Sequence, residues 1–252
     1  MPIIQSVQRA LQILDLFDEQ TTELQIKEIS ERMGLHKSTL HSLLKTLQEE
    51  RYIDQNPENG KYKLGMKLVE RGNLVTSTID IRKSSKKYLQ DLSEKTGQTV
   101  HLGILDGKEG VYIDKVEGAL ALIRYSRIGK RIPLHSTAVG KVLLAFRAPE
   151  EIDRLLDNYK FTQHTSNTIT DEKELLDELE KIRLQGFAVD DEENEQGVRC
   201  IAVPILNYEH RVIAAISMST LIARVNIREL DQYIALLKQA GKELSEQLGN
   251  KN

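Results

Sequence analysis

The chain has 252 residues, 40% of them hydrophobic and 29% charged, with a formal net charge of −3 and one cysteine. At roughly 100–200 residues per domain, that is one large or two modest domains, each able to bury a core unaided. A single cysteine excludes a disulfide framework and any zinc site built on two or more thiolates; no apolar run nears the roughly 18 residues of a membrane span. The start, MPIIQSVQRALQILDLFDEQ, lacks the basic residues, apolar run and cleavage site of a signal peptide. The expectation is a reduced, cytoplasmic protein with no membrane partner and no cofactor. Taken alone, the slight acidity argues against a nucleic-acid partner.

In chain order, Val7, Ala10, Leu11, Leu14 and Phe17 recur at helical steps and predict a first amphipathic helix. Thr21 or Thr22 is a candidate cap for the next segment. Ile26, Ile29 and Met33 form one face of a short second helix, which Gly34 ends. Leu40, Leu43, Leu44 and Leu47 form the apolar face of a third. Residues 52–54 and 61–64 read as two strands around a loop closed by Asn59-Gly60, a strong turn signal.

The stretch Ile26 to Leu47 fits a helix-turn-helix. Ile29, Met33, Leu35, Leu40 and Leu43 stand at the packing positions, Gly34 at the turn, and the small Ser30 where the helices approach. The hairpin that follows lies where a wing would. The third helix turns His36, Lys37, Ser38, Thr39, His41, Ser42, Lys45 and Thr46 outward, with no carboxylate before Glu49. Lys37 and Lys45 suit phosphates or guanine; Ser38, Thr39, His41 and Ser42 suit phosphates or base edges; Lys61 and Lys63 on the wing suit the backbone or minor groove. Residues 32–67 carry seven basic and four acidic side chains, net +3, so the global acidity says little about this face. The bland alternative is a solvated polar surface on a helical hairpin.

These residues resemble a known family. Ser6-Val7-Gln8-Arg9-Ala10-Leu11 and Gly34-Leu35-His36-Lys37-Ser38-Thr39-Leu40-His41 look like the winged helix-turn-helix of IclR-type bacterial transcription regulators. Matching segments continue in order: 134–141 (LHSTAVGK), 186–193 (GFAVDDEE), 197–204 (GVRCIAVP) and 215–217 (AIS). The resemblance covers nearly the whole chain. Many members have proline where His36 stands and arginine where Ser42 stands, which implies a different operator here. The resemblance implies an α+β protein: an N-terminal winged helix-turn-helix over 1–75, a linker helix over 76–95, and an effector-binding and assembly domain over 96–252. That last domain would be GAF/PAS-like with a largely antiparallel sheet. It also implies a homodimer or homotetramer on double-stranded operator DNA, more often a repressor, modulated by a small organic acid or related metabolite.

Residues 76–95 space Ile79, Ile81, Tyr88, Leu89 and Leu92 among Arg82, Lys83, Lys86 and Lys87, a basic amphipathic helix whose apolar face is too short and serine-broken for a membrane. Beyond it, strand-like runs cover 99–105, 110–116, 121–125, 187–189, 198–205 and 212–218, the first two joined by a hairpin at Asp106-Gly107. Helical patterns cover about 137–146, 149–157, 171–185 and 228–248.

Gly140-Lys141 invites a phosphate-loop reading, which fails: His135 stands where that loop needs glycine, and Val142 where it needs serine or threonine. The segment reads better as a helix N-terminus capped by Ser136 or Thr137. Its Ala138 and Val139 amides are either simply capped or open to a small carboxylate. The acidic run 190–195 lacks the pattern of a calcium loop and reads as solvated. Asp190 is the exception, because the resemblance places it at the effector. Cys200, in an apolar strand, is either a packed side chain or a ligand contact. Ser217 and Ser219 share one strand face, which the resemblance turns to the pocket. Arg124 and His101 are weaker candidates near an anion. A small-carboxylate enzyme is the competing reading, but no nucleophile, base and orienting group stand at recognisable spacing.

Overall fold

The structure, a computed structural model, describes residues 3–18, 20–77, 80–120 and 126–250. The chain forms two compact units that divide at residue 78.

The first unit contains α1 (Gln5–Leu14), α2 (Ile26–Met33), α3 (Lys37–Glu49), β1 (Ile53–Gln55), β2 (Tyr62–Leu64) and α4 (Lys67–Ser77). Ile13, Phe17, Leu24, Ile29, Leu40, Leu44, Leu47, Ile53 and Tyr62 close its core; side chains of this size contribute roughly 1.5–3 kcal/mol each on full burial. The buried residue of α1 is Ile13, which the spacing did not single out, whereas Val7 and Leu11 are 54% and 57% exposed. Neither Thr21 nor Thr22 caps α2. Gln25 stands at the N-cap, its amide donating to Glu28 Oε2 at 2.7 Å. Gly34 takes φ 61°, a conformation costly to a side chain with a Cβ. Ser30 Oγ donates to the Leu35 carbonyl at 2.6 Å and so closes the turn.

β1 and β2 pair antiparallel, Ile53 opposite Leu64. Asn56 and Asn59 in their loop donate to Glu23 at 3.0 and 2.9 Å, and Leu24 bridges to Tyr62. The hairpin is thereby tied to the segment leading into α2. α4 follows the hairpin directly; the sequence reading had no helix there.

The second unit runs α5 (Asp80–Thr96), β3 (Thr99–Asp106), β4 (Glu109–Val116), β5 (Arg131–Ile132), α6 (Ala138–Ala145), α7 (Pro149–Leu156), α8 (Glu172–Gln185), β6 (Ala188–Asp191), β7 (Val198–Leu206), β8 (Val212–Leu221) and α9 (Ile227–Gln247). The strands form one sheet of order β5-β4-β3-β8-β7-β6, every neighbouring pair antiparallel. Strand alternation sends Val100, Leu102, Ile216 and Met218 to a core shared with α5 and α9. Ala188, Ala202 and Ala215 face the other way, into a core with α6, α7 and α8. The stretch expected as one linker helix, 76–95, takes in the end of α4 and most of α5, and α5 packs on β3, β4 and α9 of the second unit.

The strand expected at 121–125, with Arg124, lies outside the described residues; β5 was not expected. Among the described residues no helix is long and apolar enough to cross a membrane.

Candidate functional site

On α3, Leu40, Leu44 and Leu47 point into the core, while Lys37, Ser38, Thr39, His41, Ser42 and Lys45 are exposed. The alternation follows from 3.6 residues per turn. No acidic residue stands in the first turn, so the helix dipole and Lys37 both favour an anion there. Lys37, Ser38, Thr39 and His41 have no side-chain partner among the described residues. Ser42 Oγ donates to the Ser38 carbonyl at 3.4 Å, Thr46 Oγ1 to the Ser42 carbonyl at 3.0 Å, and Lys45 lies 3.9 Å from Glu49. Ser42 therefore spends its proton on its own helix. On β2 Lys63 is exposed, and Lys61, just before it, is half-buried.

In the second unit a cleft opens between the N-terminus of α6 and the sheet, and Ala138, Val139, Asp190, Cys200, Ser217 and Ser219 all line it. The register explains the convergence. Asp190 on β6 lies opposite Cys200 on β7, which lies opposite Ser219 on β8. Ser217 is two residues along on the same face. Tyr112, Ser126, Lys130, Thr137, Asn194 and Glu195 add polar groups to the wall and Ile132 and Val198 apolar ones; no local spacing announces them.

Thr137, not Ser136, caps α6. Its Oγ1 accepts from the Gly140 amide at 3.0 Å and donates to the Pro133 carbonyl at 2.7 Å. Ser136 Oγ donates instead to Asn194 Oδ1 at 3.3 Å. A Cβ on Gly140 would lie 2.4 Å from the Pro133 carbonyl oxygen, so only glycine lets this segment fold back over the helix. The first two amides, of Ala138 and Val139, have no internal acceptor among the described residues and face the cleft.

The acidic run is not the solvated loop expected of it: Asp190 and Glu193 are 3% and 8% exposed. Asp190 Oδ1 accepts from the Glu193 and Asn194 amides at 2.8 and 3.2 Å. Burial, reinforced by the Glu193 charge, outweighs those bonds and pushes its carboxyl up to about 7. Cys200 Sγ lies 3.2 Å from Ser219 Oγ, and burial pushes the thiol upward, away from a reactive thiolate. His101 lies under the cleft wall, stacked on Tyr112 at 4.5 Å. Burial holds it down to about 3, so it is neutral and supplies no counter-charge to an anion. Among the described residues no cluster of metal-ligating side chains forms.

Sequence reasoning missed Lys141. It is wholly buried, with Nζ 2.5 Å from Glu193 Oε1, 2.6 Å from the Val189 carbonyl and 3.8 Å from Glu178 Oε1. A lysine inside the apolar helix AVGKVLLA was itself the signal, since a buried cation demands a buried carboxylate.

Comparison with known proteins bears on both sites. Residues 6–57 match the IclR helix-turn-helix domain and residues 73–246 the bacterial transcriptional regulator IclR C-terminal domain. The HTH-type transcriptional regulator XynR of Escherichia coli (strain K12) is 62% identical over 249 residues, covering 99% of each chain. The crystal structure of the Thermotoga maritima IclR superposes with TM-score 0.82 at 36% identity, covering 97% of this chain and 99% of that one. An IclR homolog from Microbacterium hydrocarbonoxydans, complexed with 4-hydroxybenzoate, shares the fold with TM-score 0.84 at 22% identity, covering 96% and 98%.

Proposed function

Because the chain belongs to the IclR family of bacterial transcriptional regulators, and is a DNA-binding regulator and not an enzyme, we propose that its first unit binds a palindromic operator in the cytoplasm. α3 enters the major groove, with Lys37, Ser38, Thr39, His41 and Lys45 on phosphates and base edges, and the β1–β2 hairpin acts as the wing through Lys61 and Lys63. Ser42 contributes as an acceptor. Residues 1–75 form the DNA-binding domain, 76–95 the linker and 96–252 the effector-binding and assembly domain. The observation that carries this reading is the α3 face: basic and hydroxyl-bearing, without a carboxylate before Glu49 at its end, and held on an apolar ridge.

The second unit binds a small organic acid. The Ala138 and Val139 amides take its carboxylate, and Asp190, Cys200, Ser217 and Ser219 surround the remainder. Binding shifts the population between two arrangements of a homodimer or higher homo-oligomer that differ in operator affinity. Self-assembly is supported by Ile4, Val7 and Leu11, which leave α1 with an apolar stripe 54–67% exposed. Repression is the proposed outcome on the regulated gene. Selection of bound fragments from the source genome tests the DNA reading. A shared palindrome, protected by the wild type but not by Lys37→Ala/Lys45→Ala, supports it; fragments with no common sequence overturn it.

A further inference from the structure

Four buried side-chain polar atoms have no hydrogen-bond partner among the described residues: Thr99 Oγ1, His101 Nδ1, Ser217 Oγ and Glu193 Oε2. Native structures satisfy most such atoms, and leaving one unmet is costly. One of them, Ser217, belongs to the lining of the cleft, at 1% exposure, and His101 lies directly across from it on β3. Thr99 lies across from Ser219, the next polar residue along the cleft wall. Glu193 does not line the cleft; its carboxylate is turned to Lys141.

The types of group matter as much as their number. A carboxylate only accepts hydrogen bonds, and the free Ala138 and Val139 amides already suit it. Serine and threonine hydroxyls donate and accept, as does a neutral imidazole across its two nitrogens. His101 already spends Nε2 on Ser126 Oγ at 2.7 Å, which leaves Nδ1 as its second site. A wall of such two-way groups is matched by ligand hydroxyls, which are also two-way. An aliphatic or plain aromatic acid would enclose the same atoms and leave them unmet.

We infer that the cleft takes a polyhydroxylated monocarboxylate, its carboxylate on the α6 amides and its hydroxyls on the Ser217, Ser219 and Ser126 hydroxyls that line the cleft. The inference rests on the proposed acid-binding role of this cleft and narrows the ligand class. In this arrangement His101 is a positioning group, not a charge partner. It acts through Ser126, whose hydroxyl it holds in the wall at 2.7 Å, behind Ser217.

The test is isothermal titration of the full chain with glycerate, threonate and gluconate, each paired with the acid of equal chain length lacking hydroxyls (propanoate, butanoate, hexanoate), and with 4-hydroxybenzoate. At least one polyhydroxy acid is expected to bind tenfold or more tightly than its match. Ser217→Ala and His101→Gln, checked for unchanged melting temperature, are each expected to weaken it about tenfold and to weaken the match less, so that the gap between the two acids narrows. If an unhydroxylated or aromatic acid binds as tightly and Asp190→Ala abolishes it, the class is wrong and the cleft reading stands. If no acid of either set binds, both fail. Tight polyhydroxy-acid binding that ignores Ser217→Ala and His101→Gln overturns the assignment to this wall.

Discussion

Lys141 on α6 and Glu193 beyond β6 form a buried ion pair, Nζ to Oε1 2.5 Å, that joins the helix bearing the free amides to the loop whose amides hold the Asp190 carboxyl. The lysine is wholly inaccessible and also donates to the Val189 carbonyl. Removing one partner strands the other charge in a low-dielectric interior. Lys141→Met is expected to cost about 3–5 kcal/mol in chemical denaturation, and adding Glu193→Leu to recover most of it. Strictly additive losses would show that the two groups are not coupled.

The α3 face makes an electrostatic prediction. Lys37→Ala should weaken operator binding and, by removing one phosphate neutralisation, reduce the slope of log K against log salt by roughly 1. Ser42→Ala should change the slope little, because its hydroxyl already donates within the helix. An unchanged slope for Lys37→Ala takes that residue out of the interface.

Asp190 makes a pH prediction. Its carboxyl is pushed up to about 7 in the folded chain, mainly by burial, against about 3.9 when unfolded. A raised carboxyl favours the protonated folded state. Its contribution is fully present below about pH 4 and is lost as pH rises through about 7, at most on the order of 4 kcal/mol. His101 works in the opposite sense. Held down to about 3, it stabilises above about pH 6.5 and loses that contribution as pH falls. Comparison with Asp190→Asn isolates the carboxyl: the wild type should lose stability relative to the variant between about pH 4 and pH 7. A pH-independent difference between the two would contradict the buried-carboxyl reading.

The exposed stripe on α1 predicts an assembly defect without a folding defect. Val7→Lys/Leu11→Lys changes side chains that are 54% and 57% exposed, so thermal unfolding of the first unit should move little. Sedimentation should shift toward smaller species, and operator affinity should fall because half-sites are no longer engaged together. An unchanged sedimentation coefficient assigns the stripe no part in assembly.

How far the sequence could be read depends on the range of the interactions. α3 was legible because Leu40, Leu44 and Leu47 and the outward Lys37 and Ser38 all follow one local period, and Gly34 marks a turn by its own backbone. The members of the cleft expected from the resemblance do converge, but the sequence alone offered no reason for Asp190, Cys200 and Ser219 to meet. That comes from register across three strands. His101 and Lys141 were misjudged for the same reason: burial, not residue type, decides that one is neutral and the other paired. α1 shows the converse failure. Its apolar spacing is real, but periodicity cannot tell a face turned to the core, as at Ile13, from one left exposed, as at Val7 and Leu11.

The central claim is that occupancy of the second unit's cleft changes DNA binding by the first. Fluorescence anisotropy of a selected operator fragment, titrated with the full chain with and without a saturating cleft-binding acid, tests it directly. The account predicts a change of about tenfold or more for the wild type. It predicts no change for Asp190→Ala, whose affinity without acid should match the wild type. Identical affinities with and without bound acid in the wild type would contradict it.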